Sequence, residues 1–305
     1  MRIVFMGTAE LACPCLEALA KRSEHDVVAV VTQPDRPKGR NLKPAPPPVK
    51  LTAERLHLPV EQPLKLRDPA AIDRLRSLRP DLMIVVAYGQ ILPPAVLEIP
   101  PKGCGNVHAS LLPRWRGAAP IACAIRHGDP QTGVTTMYLD ERMDTGDIIQ
   151  QRVETIRPDD TAGTLQDRLA GIGADLLVET VALVARDQAP RRKQDDALAT
   201  YAKKLAKEDG RIAWSKPAAD IERQIRAFDP WPSAYTTWRG TLLKIWKAQV
   251  TALAAGTPGE VQPDLVVATG EGGLLLQEVQ PPGGRRMAFD AFVRGHEFRA
   301  GDRLL

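Results

Sequence analysis

The segment Asp81–Ala87 reads Asp-Leu-Met-Ile-Val-Val-Ala and has no polar residue after its first position. A strand with one wet face alternates apolar and polar residues, whereas a strand without alternation is covered on both faces. This run therefore requires a sheet with layers packed on both sides. Arg2–Met6 and Val27–Thr32 are further strand candidates. Leu11–Lys21 and Asp68–Leu78 carry apolar residues at helical spacing, the second through Ile72, Leu75 and Leu78. Gly105–Ala109, Thr135–Leu139 and Ile148–Val153 add strands, with a turn at Asp144–Asp147 between the last two. Thr161–Arg186 is a long helix capped at Asp160 or Thr161, facing inward through Leu165, Leu169, Ile172, Leu176 and Val184. Alternating strands and helices predict an α/β domain with a mostly parallel sheet.

The rhythm changes after residue 188. Residues 189–208 are polar, lack a core pattern and read as a basic linker. Short strands follow at Arg211–Trp214, Ala234–Trp238, Leu242–Val250, Gly259–Gln262, Leu265–Thr269 and Leu274–Val279, with a helix at Ala218–Ala227. Such spacing predicts a small barrel. The division is therefore 1–188, a linker at 189–208, and 209–305, which suits a length of 305 residues. Residues 33–48 contain six prolines and read as an extended loop.

No apolar run approaches the ~18 residues of a membrane span. The N-terminus opens on a β-rich run rather than a secretory signal, and four cysteines at C-x-C and isolated positions form neither a disulfide framework nor a zinc site. A cytoplasmic protein without a metal is expected. The net charge is only +4, but it is unevenly spread. Residues 36–50 hold five basic groups and no acidic ones, and residues 191–250 hold 13 basic against 7 acidic. Two basic zones point to a polyanionic partner.

Neither G-x-G-x-x-G nor a phosphate-binding G-x-x-x-x-G-K-[ST] is present, so nothing supports NAD or ATP. The ligand of an open α/β sheet is nonetheless expected at the carboxyl ends of its strands. There the informative residues are Asn106 and His108, which share one side of an extended chain. The chain contains only two asparagines, Asn41 and Asn106. A position that keeps Asn in such a composition calls for a neutral side chain that both donates and accepts. Asp144, in Asp144-Thr145-Gly146, is a strand-end carboxylate that can support a charged histidine. An aspartic protease would need two such D-T-G units. Asn106, His108 and Asp144 supply two oxyanion donors and a supporting charge without a Ser or Cys nucleophile. That chemistry is direct attack of an amine on a carbonyl.

The stretch Asn106–Pro120, Met143-Asp144-Thr145-Gly146-Asp147, the loop Thr32–Arg40 ending at Pro48-Val49-Lys50, and Ile225–Tyr235 together resemble the folate-dependent formyltransferases. The loop is similar to that of the branch acting on charged initiator tRNA. The resemblance spans nearly the whole chain. It implies a Rossmann-like N-terminal catalytic domain and an OB-like C-terminal β-barrel that holds tRNA. It also implies 10-formyltetrahydrofolate as formyl donor and initiator methionyl-tRNA as acceptor; a monomer is expected. By the same resemblance, Asn106 and His108 stabilise the oxyanion, and Asp144 positions His108 and assists proton transfer. Ser110, Leu111, Leu112 and Pro113 line the folate site, with Gln90, Ile91, Leu92, Leu139 and Asp140 bordering the pterin. Arg36, Lys38, Arg40 and Lys43 contact tRNA. Asn41 stands where many relatives have a denser lysine cluster, and Cys123 where a basic or polar residue is common. Trp115 reads as a surface or packing aromatic.

Overall fold

The computed structural model describes residues 1–38, 43–252 and 256–305. The chain divides into two units. Unit 1 is Met1–Pro120, Gln131–Thr155 and Gln166–Ala202; unit 2 is Ile121–Pro130, Ile156–Leu165 and Lys203–Leu305.

The elements follow in chain order as β1 (Arg2–Gly7), α1 (Cys13–Ala20), β2 (Asp26–Val31), β3 (Arg36–Lys38), β4 (Lys43–Ala45), α2 (Pro48–Arg55), β5 (Val60–Glu61), α3 (Pro69–Ser77), β6 (Leu82–Val86), α4 (Pro94–Leu97), β7 (Cys104–His108), β8 (Arg116–Gly117), α5 (Pro120–Arg126), β9 (Gln131–Tyr138), β10 (Ile148–Thr155), α6 (Ala162–Ala185) and β11 (Tyr201–Ala202). Seven strands form one sheet in the order β10-β9-β7-β6-β1-β2-β5. The five from β5 to β7 are parallel, and β9 and β10 add antiparallel pairs at one edge. β6 lies mid-sheet with all five side chains buried. At about 1.5–3 kcal/mol for each such side chain, this strand is a main source of the unit's stability. Its neighbours Val4, Met6, Ala29, Val31 and Cys104 share one cluster with Met83 and Val85. Thr161 and Thr164 exchange backbone-to-hydroxyl bonds of 3.0 and 3.2 Å, fixing the entry to α6.

The described parts of the proline-rich segment, 33–38 and 43–48, include paired strands where an extended loop is expected. β3 and β4 pair antiparallel, with Pro37 opposite Pro44. Neither residue has an N–H to donate, so that position suits the gap between ladder hydrogen bonds. At the hairpin's base, Lys50 Nζ bonds both Asp35 oxygens at 2.9 Å, and Gln62 Nε2 donates to Asp35 Oδ1 at 2.8 Å.

Unit 2 contains α7 (Ala218–Ala227), β12 (Ala234–Trp238), β13 (Thr241–Thr251), β14 (Val266–Ala268), β15 (Gly273–Gln280), β16 (Met287–Ala288) and α8 (Phe289–His296). The antiparallel path β12-β13-β15-β14 closes on itself through isolated pairings: Val267 with Val261, Glu260 with Arg303, and Leu304 with Trp238. The expected strands at Arg211–Trp214 and Gly259–Gln262 are single bridges rather than ladders. The core inside this ring includes Ile221, Ile225, Leu243, Ile245, Leu274, Phe289 and Phe292. No described helix is long and apolar enough to cross a membrane.

Candidate active site

β7 ends where the chemistry is expected. It pairs parallel with β6 and antiparallel with β9, with Asn106 opposite Val85 and Met137, and His108 opposite Thr135. Asn106 is half-buried and His108 is buried. Among the described residues the Asn106 amide has no side-chain hydrogen bond, although its strand is held on both sides. It is a donor and acceptor aimed at no described protein group.

The chain after His108 is locked to β9 and β10. The Leu112 N–H donates to Thr135 Oγ1 at 3.1 Å, while that hydroxyl donates to the Ser110 carbonyl at 2.6 Å. Gln151 Nε2 donates to the Leu112 carbonyl at 2.9 Å, and Ser110 Oγ donates to the Arg114 carbonyl at 2.6 Å. This loop returns the Trp115 carbonyl to His108 Nε2, which donates to it at 2.9 Å. Trp115 is no surface aromatic: it is buried, and its φ is +63°.

Asp144 lies on the loop between β9 and β10. Thr145 Oγ1 and the Arg142 N–H both donate to Asp140, folding the loop on itself. A Cβ on Gly146 would fall on the Tyr138 carbonyl, so only glycine closes it. Asp144 Oδ2 accepts the Gly117 N–H at 2.8 Å and stands 3.7 Å from His108 Nδ1. The first contact is a hydrogen bond; the second is too long for one and acts through charge. Both ring nitrogens thus face acceptor oxygens.

Three supporting side chains were not read from the sequence. Arg116 is a charged residue only 2% exposed. Its Nε and Nη2 donate to Gln194 Oε1 at 3.0 and 2.9 Å, and Nη2 also pairs with Asp196 at 2.7 Å. Gln194 Nε2 in turn donates to the carbonyls of Asp144 and Gly146, each at 2.8 Å. Nothing in sequence spacing marks these contacts, which join residues about 50–80 positions apart.

The residues expected to bind folate are brought together in part. Leu139 packs on the cluster of Leu112, Met137 and Ile148 and on the cluster holding Leu92, so it links the two groups. Leu111 and Pro113 are half-buried, and Ile91 is 74% exposed. Gln90 is occupied by backbone: it accepts from the Leu66 N–H and donates to the Leu64 carbonyl. Of the residues expected to contact tRNA, Arg36 is exposed and donates to Gln33 Oε1 at 3.1 Å. Lys38 and Lys43 are opposite one another in the hairpin backbone. Arg40 and Asn41 lie outside the described residues. Among the described residues no group of three or more His, Cys, Asp or Glu is arranged to hold a metal ion. Cys104 shares β7 with Asn106 and His108, but burial pushes its thiol up to about 12, so it offers no thiolate near neutral pH.

Family models and known proteins match the chain along its length. A family model described as formyl transferase matches residues 1–181, and one described as formyl transferase, C-terminal domain, matches residues 204–297. A protein of Geotalea uraniireducens named methionyl-tRNA formyltransferase is 49% identical, with 100% of this chain and 98% of the relative covered. One of Methylococcus capsulatus with the same name is 51% identical, with 100% and 99% covered. The fold is similar to that of the N-formyltransferase from Helicobacter canadensis solved with folinic acid and dTDP-3-aminofucose (TM-score 0.67, 18% identity, covering 93% of this chain and 99% of that one). It is also similar to HypX from Aquifex aeolicus in complex with tetrahydrofolic acid (TM-score 0.63, 18% identity, 96% and 47% covered). With both family models matched and half of its residues shared with full-length relatives, this chain belongs to the formyl transferase family.

Proposed function

We propose that this protein transfers the formyl group of 10-formyltetrahydrofolate to the α-amine of methionine on initiator methionyl-tRNA, as a cytoplasmic monomer in translation initiation. The observation that carries the reading is full-length identity of about half to proteins named for this activity, with Asn106, His108 and Asp144 all present. In this mechanism the neutral amine attacks the formyl carbon, forming a C–N bond and a tetrahedral oxyanion. The oxyanion collapses and the bond from that carbon to N10 breaks. The amine loses a proton and N10 gains one, so the products are formyl-methionyl-tRNA and tetrahydrofolate.

Asn106 donates to the oxyanion through an amide that owes nothing to the fold. His108 donates from Nδ1, because the Trp115 carbonyl engages Nε2. Asp144 positions the ring from 3.7 Å and assists proton transfer. Folate is held by Ser110–Pro113, Gln90–Leu92, Leu139 and Asp140; the two apolar clusters that meet at Leu139 support an apolar wall for its ring. Lys203, Lys204 and Lys207 are exposed, as is Arg36, and they support binding of a polyanion. Arg36, Lys38, Arg40 and Lys43 complete the tRNA contact, and the ring of strands in unit 2 serves as the OB-like tRNA-binding domain.

The test is formylation by purified protein with charged initiator tRNA and 10-formyltetrahydrofolate. Product should form at a rate that falls as salt rises. Absence of transfer at saturating substrates rejects the proposal.

A further inference from the structure

The segment Arg192–Ala202 falls within the stretch that composition marks as a linker, yet it is built into the site. Arg192 and Ile148 exchange backbone hydrogen bonds of 3.0 and 2.8 Å. Thr200 Oγ1 accepts the Trp115 N–H at 2.9 Å, and the Thr200 carbonyl accepts the Arg116 N–H at 2.8 Å. The Ala202 carbonyl accepts the Ala118 N–H at 2.8 Å, and β11 pairs parallel with β8. The loop behind His108 and the loop bearing Asp144 are therefore both bonded to this one stretch of chain.

Gln194 is where the two loops meet. Its carbonyl oxygen accepts twice from the buried Arg116 guanidinium, and its amide nitrogen donates to the two carbonyls flanking Thr145. Only a neutral amide performs both tasks at once. Glutamate would keep the oxygen for Arg116 but turn a second oxygen on two carbonyl oxygens. Alanine would leave Arg116 with only the largely exposed Asp196. Asp144 itself holds a φ of +56°, in the left-handed region that is uncommon for residues other than glycine.

We propose that Gln194 is a positioning residue: it sets the Asp144 loop against Gly117 and His108, so that the carboxylate stays beside Nδ1 while substrate is bound. The inference rests on the formyl-transfer reading above, since its kinetic consequence is defined by that reaction.

Three measurements on the full chain test it: formyl transfer, thermal melting, and hydrogen exchange of the amides of residues 144–147, each for the wild type, Gln194→Glu and Gln194→Ala. Gln194→Glu should lower kcat by about 10- to 100-fold, as expected when a catalytic group shifts by up to an ångström. KM for both substrates should stay within about twofold. The melting temperature should stay within about 3 °C. The 144–147 amides should exchange faster in both variants. Wild-type kcat with wild-type exchange in Gln194→Glu overturns the proposal. So does a loss of kcat matched by rises in both KM values and a large drop in melting temperature, which is general damage. If the wild type itself transfers no formyl group, the functional reading fails instead. The exchange measurement then decides the positioning claim alone: faster exchange supports it and unchanged exchange overturns it.

Discussion

His108 Nε2 donates to the Trp115 carbonyl at 2.9 Å, and that bond leaves Nδ1 as the ring nitrogen outside any hydrogen bond among the described residues. With Nε2 engaged, Nδ1 is the remaining donor, and Asp144 Oδ2 is 3.7 Å from it. The amide nitrogen of asparagine can occupy roughly the place of Nδ1, and that of glutamine the place of Nε2. His108→Ala should reduce kcat by roughly 10²–10³, the usual cost of one oxyanion donor. His108→Asn should recover part of that loss and His108→Gln none. Better recovery with glutamine would reassign the donor to Nε2.

Asn106 yields a different signature. Its side chain bonds nothing in the described protein, so Asn106→Ala should leave the melting temperature within about 2 °C of wild type. Its kcat should nevertheless fall by roughly 10²–10³. A large loss of stability with a modest kinetic effect would make Asn106 a structural residue.

The thiols should be silent in the native state. Burial pushes both Cys15 and Cys104 up to about 12. At pH 8 their thiolate fraction is then about 10⁻⁴. Iodoacetamide followed by mass spectrometry should leave both unlabelled in the native protein, and should label all four cysteines in urea. Native labelling of Cys104 without loss of transfer would show that the β7 end opens in solution.

Asp302 should contribute stability that depends on pH. Burial pulls its carboxyl upward, but the Arg299 N–H, the Trp238 indole and Arg239 all bond it, and together they hold it below the usual carboxylate range. A group with a lowered folded pKa stabilises the fold above its unfolded value, and that contribution is lost as pH falls through the folded value. Asp302→Ala should therefore cost about 1–2 kcal/mol at pH 7. The gap should hold down to about pH 4 and close below it. Parallel denaturation curves across that range would show that the carboxylate is not the source.

Local pattern carried much of the fold. The unbroken run at Asp81–Ala87 contains β6, whose five residues are all buried, and the helix expected over Ala218–Ala227 has those bounds. The helix expected at Thr161–Arg186 spans Ala162–Ala185. Hydrophobic period and caps are properties of neighbouring residues, so they survive in sequence. What escaped was set by distant partners. Arg116 looks like a surface cation until Gln194 and Asp196 are seen around it, and Trp115 looks idle until its carbonyl reaches His108. The Phe289–His296 helix was missed because its apolar face completes a cluster with Phe298 and Trp238, which one helix's own pattern does not reveal.

The bonding of residues 192–202 to the loops around His108 and Asp144 bears on how such a protein can be recombined. Composition invites a splice near residue 188. A chimera joined there would inherit His108 and Asp144 but exchange the strand, the amide and the threonine that brace them. A graft that keeps native residues through Ala202 would carry the whole brace with it. The natural seam for exchanging the module that follows therefore lies beyond Ala202, downstream of where the change in composition places it.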